Sequence, residues 1–172
     1  MNIFLIQLVA ILAFSGYALA FYLPTRKRIL GWQFIFLLVW AGHFLFLGAW
    51  TGAVMIAANA AKSLFFYFKR EDNWIGRPVV LYAWLLFFIV LAWWSQEGWW
   101  SLLPMLAVGF VAVANWQMDV QKMRWIVLPA NIFWFVYNLL VGSYGGMVAE
   151  TIMFIMVIGS IIRHYKARVN HD

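Results

Sequence analysis

The chain has 172 residues, of which 66% are hydrophobic and only 10% are charged. Soluble domains contain roughly 45–50% apolar and about 25% charged residues, so this composition excludes a soluble enzyme and a soluble nucleic-acid-binding domain. The net charge of +6, from 12 Lys and Arg against 6 Asp and Glu, needs no nucleic acid to explain it, because basic residues accumulate in the cytoplasmic loops of membrane proteins.

Seven apolar stretches are long enough to cross a bilayer, which takes about 17–25 residues in a helix. Stretches such as 80–94 are apolar on every face, which favours helices over the alternating strands of a membrane β-barrel. No Lys or Arg precedes the first stretch, so we interpret it as a span and not as a cleaved signal peptide. The sequence therefore predicts an all-α membrane protein with a single membrane domain, 1–172. Its predicted helices cover residues 2–23, 30–50, 52–68, 74–94, 98–116, 125–142 and 146–163.

Basic residues fall on one side of these predicted spans. Eleven of the 12 lie in the turns after spans one, three and five or after span seven, whereas the turns at 49–52, 95–101 and 143–146 contain none. Because cytoplasmic loops are enriched in Lys and Arg, the predicted topology has the N-terminus outside and the C-terminus inside. The eleven residues are Arg26, Lys27, Arg28, Lys69, Arg70, Arg77, Lys122, Arg124, Arg163, Lys166 and Arg168.

A shift of 94 residues aligns the second half of the chain with the first. It matches Trp40 with Trp134, and it brings the glycines at 48 and 52 onto those at 142 and 146. We interpret residues 1–70 and 98–166 as two parallel three-helix repeats, joined by a linker helix at 74–94 that restores the orientation of the second copy. This 3+1+3 plan is typical of transporters with parallel repeats. The alternative is chance similarity between Leu-, Phe- and Gly-rich helices.

Three ionisable side chains, His43, Lys62 and Glu150, lie inside the predicted spans. Such groups are expensive to place in a bilayer, so each is by default a candidate functional residue. Lys62 lies near the predicted midplane, and Asn59 occupies the same stripe of span three. The alternative is that the Lys62 side chain extends to the cytoplasmic interface and only anchors its helix.

Spans two and six combine aromatic and polar residues at helical spacing. Asn131, Trp134 and Asn138 follow one stripe of span six, and Trp40 and His43 lie at a matching height in span two. Indole faces beside amide and imidazole groups suit a flat polar solute that stacks on the ring and forms hydrogen bonds at its edge. The alternative is that these groups only link helices. The candidate solute-binding residues are Trp40, His43, Asn59, Lys62, Asn131, Trp134, Asn138 and Glu150.

Several of these residues belong to strings that resemble a known family. The segments His43-Phe44-Leu45-Phe46-Leu47-Gly48 and Asn59-Ala60-Ala61-Lys62, and later Asn138, Gly142-Ser143-Tyr144-Gly145-Gly146 and Glu150, resemble the YgjV family of bacterial inner membrane proteins. This family is similar to the MtN3/SWEET and PQ-loop group, which includes the PnuC vitamin transporters. The resemblance implies a seven-helix plan in the bacterial inner (cytoplasmic) membrane. Sugar-transporting relatives carry Asn on the third helix of each unit, whereas Met153 stands at the second such position here.

The sequence favours a facilitator-type transporter of a small polar solute, with its site at the midplane between the two repeats. The alternative is a membrane assembly factor or partner subunit without transport activity. We expect no enzymatic activity, cofactor or metal, because Cys is absent and neither a Gly-x-Ser-x-Gly motif nor metal-spaced His and Glu occur. The expected partners are the lipid bilayer and the solute, without nucleic acid, and a homo-oligomer is compatible with the sequence.

Overall fold

The chain folds into a bundle of helices joined by short turns. The computed structural model describes residues 3–70 and 72–169, which contain seven α-helices and no β-strand. Within this part of the chain, the predicted all-α class and the predicted count of seven helices are confirmed. The helices are α1 (Ile3–Leu19), α2 (Arg26–Leu47), α3 (Trp50–Tyr67), α4 (Pro78–Trp94), α5 (Leu102–Trp116), α6 (Val120–Leu140) and α7 (Tyr144–Val169).

Four helical segments are both long and apolar enough to cross a membrane: α2, α6, Trp99–Trp116 around α5, and Tyr144–Tyr165 in α7. The apolar helices at Gln7–Tyr22 and Pro78–Trp94 are shorter. The remaining helix, α3, has its hydropathy lowered by polar residues such as Asn59 and Lys62. These side chains are buried in the bundle, so the polarity of α3 faces other helices.

Two helices begin earlier than the sequence predicts. The predicted starts at 30 and 125 mark where the charged residues end, whereas α2 starts at Arg26 and α6 at Val120. Asp119 caps α6, since its carboxylate accepts hydrogen bonds from the backbone N–H groups of Gln121 and Lys122 at 2.6 and 3.1 Å. Arg26 and Arg124 are buried because their guanidinium groups donate to backbone carbonyls of neighbouring helices.

The helices form two groups, the first triplet (α1–α3) and the second triplet (α5–α7). In each triplet, the middle helix packs against both others. Between the triplets, α1 packs against α7 and α3 packs against α5. If each helix is replaced by its counterpart in the other triplet (α1 and α5, α2 and α6, α3 and α7), every one of these contacts corresponds to another observed contact. Helix α4 lies at the periphery against α5 and α3, and most of its large apolar side chains are exposed.

The bundle has two ends of different character. At the glycine end, α2 and α6 are each followed within two residues by a glycine in the left-handed conformation, with φ of 74° at Gly48 and 70° at Gly142. The same two backbone hydrogen bonds close both turns: Gly48 N to Leu45 O and Ala49 N to Phe44 O, then Gly142 N to Leu139 O and Ser143 N to Asn138 O. The opposite end, the basic end, carries Arg26, Lys69, Arg124 and Arg163.

Candidate functional site

A small enclosed cavity lies at the centre of the bundle, between the two triplets. The volume open to the centre of a water molecule is about 10 Å³, which is close to the minimum that holds one water molecule. Every helix of both triplets contributes to its wall, whereas α4 does not. The lining residues are Tyr17, Leu37, Trp40, Ile56, Asn59, Val111, Asn131, Trp134, Glu150 and Met153.

These ten residues form five pairs whose numbers differ by 94, the shift that aligns the two halves of the sequence. One pair is chemically identical and the other four differ. Polar groups enter the wall from Tyr17 and Asn59 in the first triplet and from Asn131 and Glu150 in the second. The pairs are Tyr17 and Val111, Leu37 and Asn131, Trp40 and Trp134, Ile56 and Glu150, and Asn59 and Met153.

Aromatic rings from both triplets meet beside this cavity. The ring centroids of Trp40 and Trp134 are 5.7 Å apart. Phe44 stacks on both indoles, with centroid distances of 5.6 and 5.9 Å, and Tyr17 lies 6.4 Å from Trp40. These spacings are typical of favourable aromatic pairs. The two tryptophans that the sequence singles out as site walls therefore come together in the structure.

Glu150 stands out among the lining residues because its carboxyl group is buried without a partner. Its side chain is 2% exposed, and neither carboxyl oxygen has a hydrogen-bond partner among the described residues. The Nδ2 amide nitrogen of Asn131 is unpartnered in the same sense. Burying polar groups without hydrogen bonds costs about 1–3 kcal/mol each. Both groups are therefore well placed to bind something within the cavity.

The same two residues also line a groove between α6 and α7. This groove has a volume of about 240 Å³, and its walls are otherwise mainly apolar. Asn131 and Glu150 thus separate the groove from the central cavity and face both. The other groove residues are Ile132, Phe135, Thr151, Phe154 and Ile155.

Lys62 belongs to a buried polar network next to the cavity. Its Nζ donates to Asn59 Oδ1 at 2.7 Å, and the Ser63 hydroxyl donates to Asn59 O at 2.9 Å. Asn115 Nδ2 extends the network, since it donates to Gln33 Oε1 at 3.0 Å and approaches Ser63 Oγ at 3.4 Å. Sequence reasoning missed Gln33 and Asn115, although each is a neutral polar residue within an apolar helix.

The position of Lys62 bears on whether it anchors its helix. The side chain is fully buried, and it bonds to Asn59, which lies one turn nearer the glycine end. A snorkelling lysine would instead extend its charged group towards water at the basic end. Lys62 lies behind Asn59, outside the set of lining side chains. Its contacts therefore fit a role in positioning Asn59 better than a role as an interfacial anchor.

The remaining two candidates, His43 and Asn138, lie towards the glycine end and not in the cavity wall. His43 Nε2 forms a 2.9 Å hydrogen bond with the Ser143 hydroxyl, and Asn138 Nδ2 donates to Trp134 O at 2.9 Å. The structure thus gathers five of the eight predicted residues around the cavity and bonds Lys62 to one of them. His43 contacts the α6–α7 turn through Ser143, whereas the Asn138 amide group bonds within its own helix.

A second contact at the glycine end also joins the triplets. Gly52 N donates to the Tyr137 hydroxyl at 2.9 Å. A side chain at position 52 would leave no room for this contact, because a Cβ atom there would lie 2.8 Å from the Tyr137 ring. Tyr137 is the residue that aligns with His43. In each triplet, therefore, the side chain at this aligned position forms a hydrogen bond with the other triplet.

At the basic end, cationic side chains donate to backbone carbonyls in the short 3-10 helix that follows α1 (Ala20–Tyr22) and at the end of α5. Lys69 Nζ donates to Trp116 O at 2.5 Å and lies 3.7 Å from the centre of the Trp116 ring. Arg163 repeats this arrangement, since it donates to Tyr22 O at 3.4 Å and lies 4.9 Å from the Tyr22 ring. Lys69 aligns with Arg163, and Tyr22 aligns with Trp116, at the 94-residue shift. Cations are favourable at helix C-termini and over aromatic rings.

Two buried arginines complete this end. Arg26 donates to Asn115 O at 2.9 Å and to Phe66 O at 2.8 Å, whereas Arg124 donates to Phe21 O at 2.9 Å. Phe21 and Asn115 again differ by 94. The sequence pattern assigns these arginines to cytoplasmic turns and predicts no contacts for them. In the structure, they bridge the two triplets.

Within residues 3–70 and 72–169, no three His, Asp or Glu side chains lie close enough together to hold a metal ion. No curated protein and no solved structure matches the chain significantly. The sequence profile of one family, described as a bacterial inner membrane protein, matches residues 4–168. Together with the apolar helices, this match locates the protein in the bacterial inner membrane. The chain belongs to the Imp-YgjV family of bacterial inner membrane proteins.

Proposed function

We propose that the protein is a facilitator-type transporter of a small polar solute, which binds in the central cavity between the two triplets. The observation that carries this proposal is the cavity wall, in which all ten residues pair at the spacing of the sequence alignment. A ligand site at the interface of repeats near the bilayer midplane is the usual arrangement in transporters built from duplicated units.

The proposal includes the 3+1+3 arrangement, with the triplets as repeats and α4 as the linker helix. Three features support it: the matching helix contacts of the two triplets, the identical hydrogen bonding of the two glycine turns, and the paired cation–aromatic contacts. The helix contacts are independent of the residue identities that first suggested the alignment.

The proposal also orients the molecule with its basic end in the cytoplasm and its N-terminus outside. Because the chain contains no Cys, single-cysteine variants can test this orientation in intact cells. We expect an impermeant thiol reagent to label Gln96→Cys, near the glycine end, and to leave Asp72→Cys unlabelled until the cells are opened. Both positions are exposed. If only Asp72→Cys were labelled in intact cells, the orientation would be the opposite of the one proposed.

Transport through this site requires the contacts at either end to open in turn. At the glycine end, the triplets are joined by the hydrogen bonds between His43 and Ser143 and between Gly52 and Tyr137. At the basic end, they are joined by the arginine–carbonyl and cation–aromatic contacts. Rocking one triplet against the other would break one set while keeping the second. In such a cycle, we assign the small central volume to the occluded form.

An uptake screen in proteoliposomes tests the proposal. The panel contains labelled sugars, nucleosides, amines and vitamin precursors, with protein-free liposomes as the baseline. We expect saturable uptake of at least one solute, and we expect Asn131→Leu, which introduces the residue that aligns in the first triplet, to abolish it. The matched control is Gln121→Leu, because Gln121 also carries an unpartnered amide in α6 but lies outside the cavity.

A negative screen would favour the alternative that the sequence leaves open, a membrane assembly or partner subunit. In that case, no member of the panel enters above the baseline, and purification in mild detergent retains one protein partner at fixed stoichiometry. Saturable uptake that Asn131→Leu leaves unchanged would keep the transport function and reject the central cavity as its site.

A further inference from the structure

We infer that the solute is an amphipathic organic cation, and that the Glu150 carboxylate is its counter-ion. This inference rests on the proposed transport function and deepens it by naming the class of solute. It also assigns a second part of the site, the groove between α6 and α7, to the apolar part of the same solute.

Charge in the cavity wall points to a cation. Glu150 carries the only carboxyl group among the ten lining residues, and no Lys, Arg or His occurs among them. Both carboxyl oxygens are buried without a hydrogen-bond partner in the described part of the chain. An unpaired carboxylate in apolar surroundings is costly, and pairing with a cation that also donates hydrogen bonds removes most of this cost. A protonated amine supplies both.

Aromatic residues in the same cavity wall also favour a cation. Trp40, Trp134 and Tyr17 line the same cavity, and the indole centroids are 5.7 Å apart. The electron-rich faces of Trp and Tyr attract cations by about 0.5–1 kcal/mol at exposed sites and by about 2 kcal/mol or more when water is excluded. An ammonium group between these rings and Glu150 would meet favourable groups on both sides.

Lys62 does not reverse this preference. Glu150 aligns with Ile56, and Lys62 lies six residues beyond Ile56 along α3, about 9 Å further towards the basic end at 1.5 Å per residue. Its Nζ is bonded to Asn59 Oδ1, and Lys62 is not among the residues that line the cavity. A zwitterionic solute would need a cationic side chain in the wall to hold its carboxylate, and the wall contains none.

The groove explains why the cation would be amphipathic. Glu150 and Asn131 face both the cavity and the groove, whose remaining walls are formed mainly by Ile132, Phe135, Phe154 and Ile155. A solute with its amine at Glu150 can therefore extend an apolar group into the groove. The first triplet offers no equivalent polar access, because Leu37 and Ile56 stand at the aligned positions.

Three probes that share one ring and chain test the inference: 2-phenylethylamine, which is cationic, 2-phenylethanol, which is neutral, and phenylalanine, which is zwitterionic. Binding to the purified full-length protein is measured by calorimetry and by thermal shift. We expect the amine to bind at least about tenfold more tightly than the alcohol or the zwitterion. Glu150→Gln should remove this preference, Glu150→Asp should keep part of it, and Asp72→Asn in an exposed loop should keep all of it.

Equal binding of the amine and the alcohol would overturn the inference, as would an amine preference that survives in Glu150→Gln. Tighter binding of phenylalanine would replace the cation with a zwitterion. If none of the probes binds, the cation class is rejected, and the proteoliposome screen decides separately whether the protein transports another solute. Because the comparison of probes on the parent protein needs no variant, misfolding of Glu150→Gln would not leave the inference untested.

Discussion

Around the central cavity, the first triplet presents Leu37 and Ile56 at the two positions where the second triplet presents Asn131 and Glu150. Elsewhere, the triplets keep the same devices: a left-handed glycine turn, a tryptophan in the wall, and a cation over an aromatic ring at the basic end. The shared devices shape the bundle and hold its ends closed. Conversely, the first triplet presents Tyr17 and Asn59 where the second presents Val111 and Met153. The difference at the cavity teaches that the two triplets contribute polar groups at different aligned positions, and that the carboxyl group comes from the second triplet alone.

The largest loss of uptake is expected when the Glu150 carboxyl group is replaced by the apolar side chain of the first triplet. Glu150→Ile introduces the residue that aligns in the first triplet, and it removes the unpartnered carboxyl group. We expect solute uptake to fall to the protein-free baseline while stability stays equal or rises by about 1–3 kcal/mol, since a buried unsatisfied group is lost. Uptake and thermal melting are measured on the same preparation, with Gln121→Leu, outside the cavity, as the control. Retained uptake would show that Glu150 is not part of the site.

Lys62→Met likewise introduces the residue found at the aligned position of the other triplet, because Met156 aligns with Lys62. The change removes a costly buried ammonium group and also the hydrogen bond to Asn59. These effects oppose each other, so we expect stability to change by less than about 1 kcal/mol. Uptake should fall by about tenfold or more because Asn59 loses its fixed orientation, and tenfold corresponds to about 1.4 kcal/mol. A drop in melting temperature with a merely proportional loss of uptake would make Lys62 structural, and Lys122→Met is the control.

At the glycine end, Gly52→Ala tests the contact that joins the triplets. The new Cβ atom would lie 2.8 Å from the Tyr137 ring and 2.9 Å from its hydroxyl oxygen. We expect a loss of about 1–3 kcal/mol, typical of overpacking, measured by denaturation in mixed micelles. Gly42→Ala is the matched control, because nothing lies within 4 Å of a Cβ atom there, and it should be neutral or stabilising by up to about 1 kcal/mol. Equal effects at both positions would contradict close packing at Gly52.

The smallest expected effect is a difference in stability between variants of the two paired cations at the basic end. Lys69 is buried over the Trp116 ring at 3.7 Å, whereas Arg163 is exposed and lies 4.9 Å from the Tyr22 ring. Because desolvated cation–aromatic contacts are stronger, we expect Lys69→Leu to cost about 1–2 kcal/mol and Arg163→Leu about 0.5 kcal/mol. Denaturation of both variants under one condition gives the comparison. A larger loss for Arg163→Leu would reverse it.

Much of the fold could be predicted from the sequence, because span length and hydropathy determine helix number and the 94-residue shift is visible in Trp40 and Trp134. Helical spacing also gives the depth of Asn59, Asn131 and Glu150. It does not say which neighbouring helix a side chain faces. For this reason, helical spacing groups His43 with the cavity residues, although it bonds to Ser143 at the glycine end.

Other features are hidden from sequence patterns for a different physical reason. Tyr17 and Val111 occupy equivalent places in the cavity wall without chemical similarity, so no comparison of residue types would pair them. Arg26 and Arg124 resemble loop residues by charge, and only the backbone carbonyls at the ends of α5 and α1 allow them to be buried. Such partners depend on tertiary packing and not on local sequence.

The central claim, a solute site between the triplets that opens to each side in turn, is tested most directly by labelling Ile56→Cys. Ile56 lines the cavity and is fully buried, and the chain contains no other cysteine. In right-side-out and inside-out vesicles, the account predicts slow labelling by a small impermeant thiol reagent from both sides, with protection by transported solute. Labelling from one side only, or at a rate that solute does not change, would contradict it.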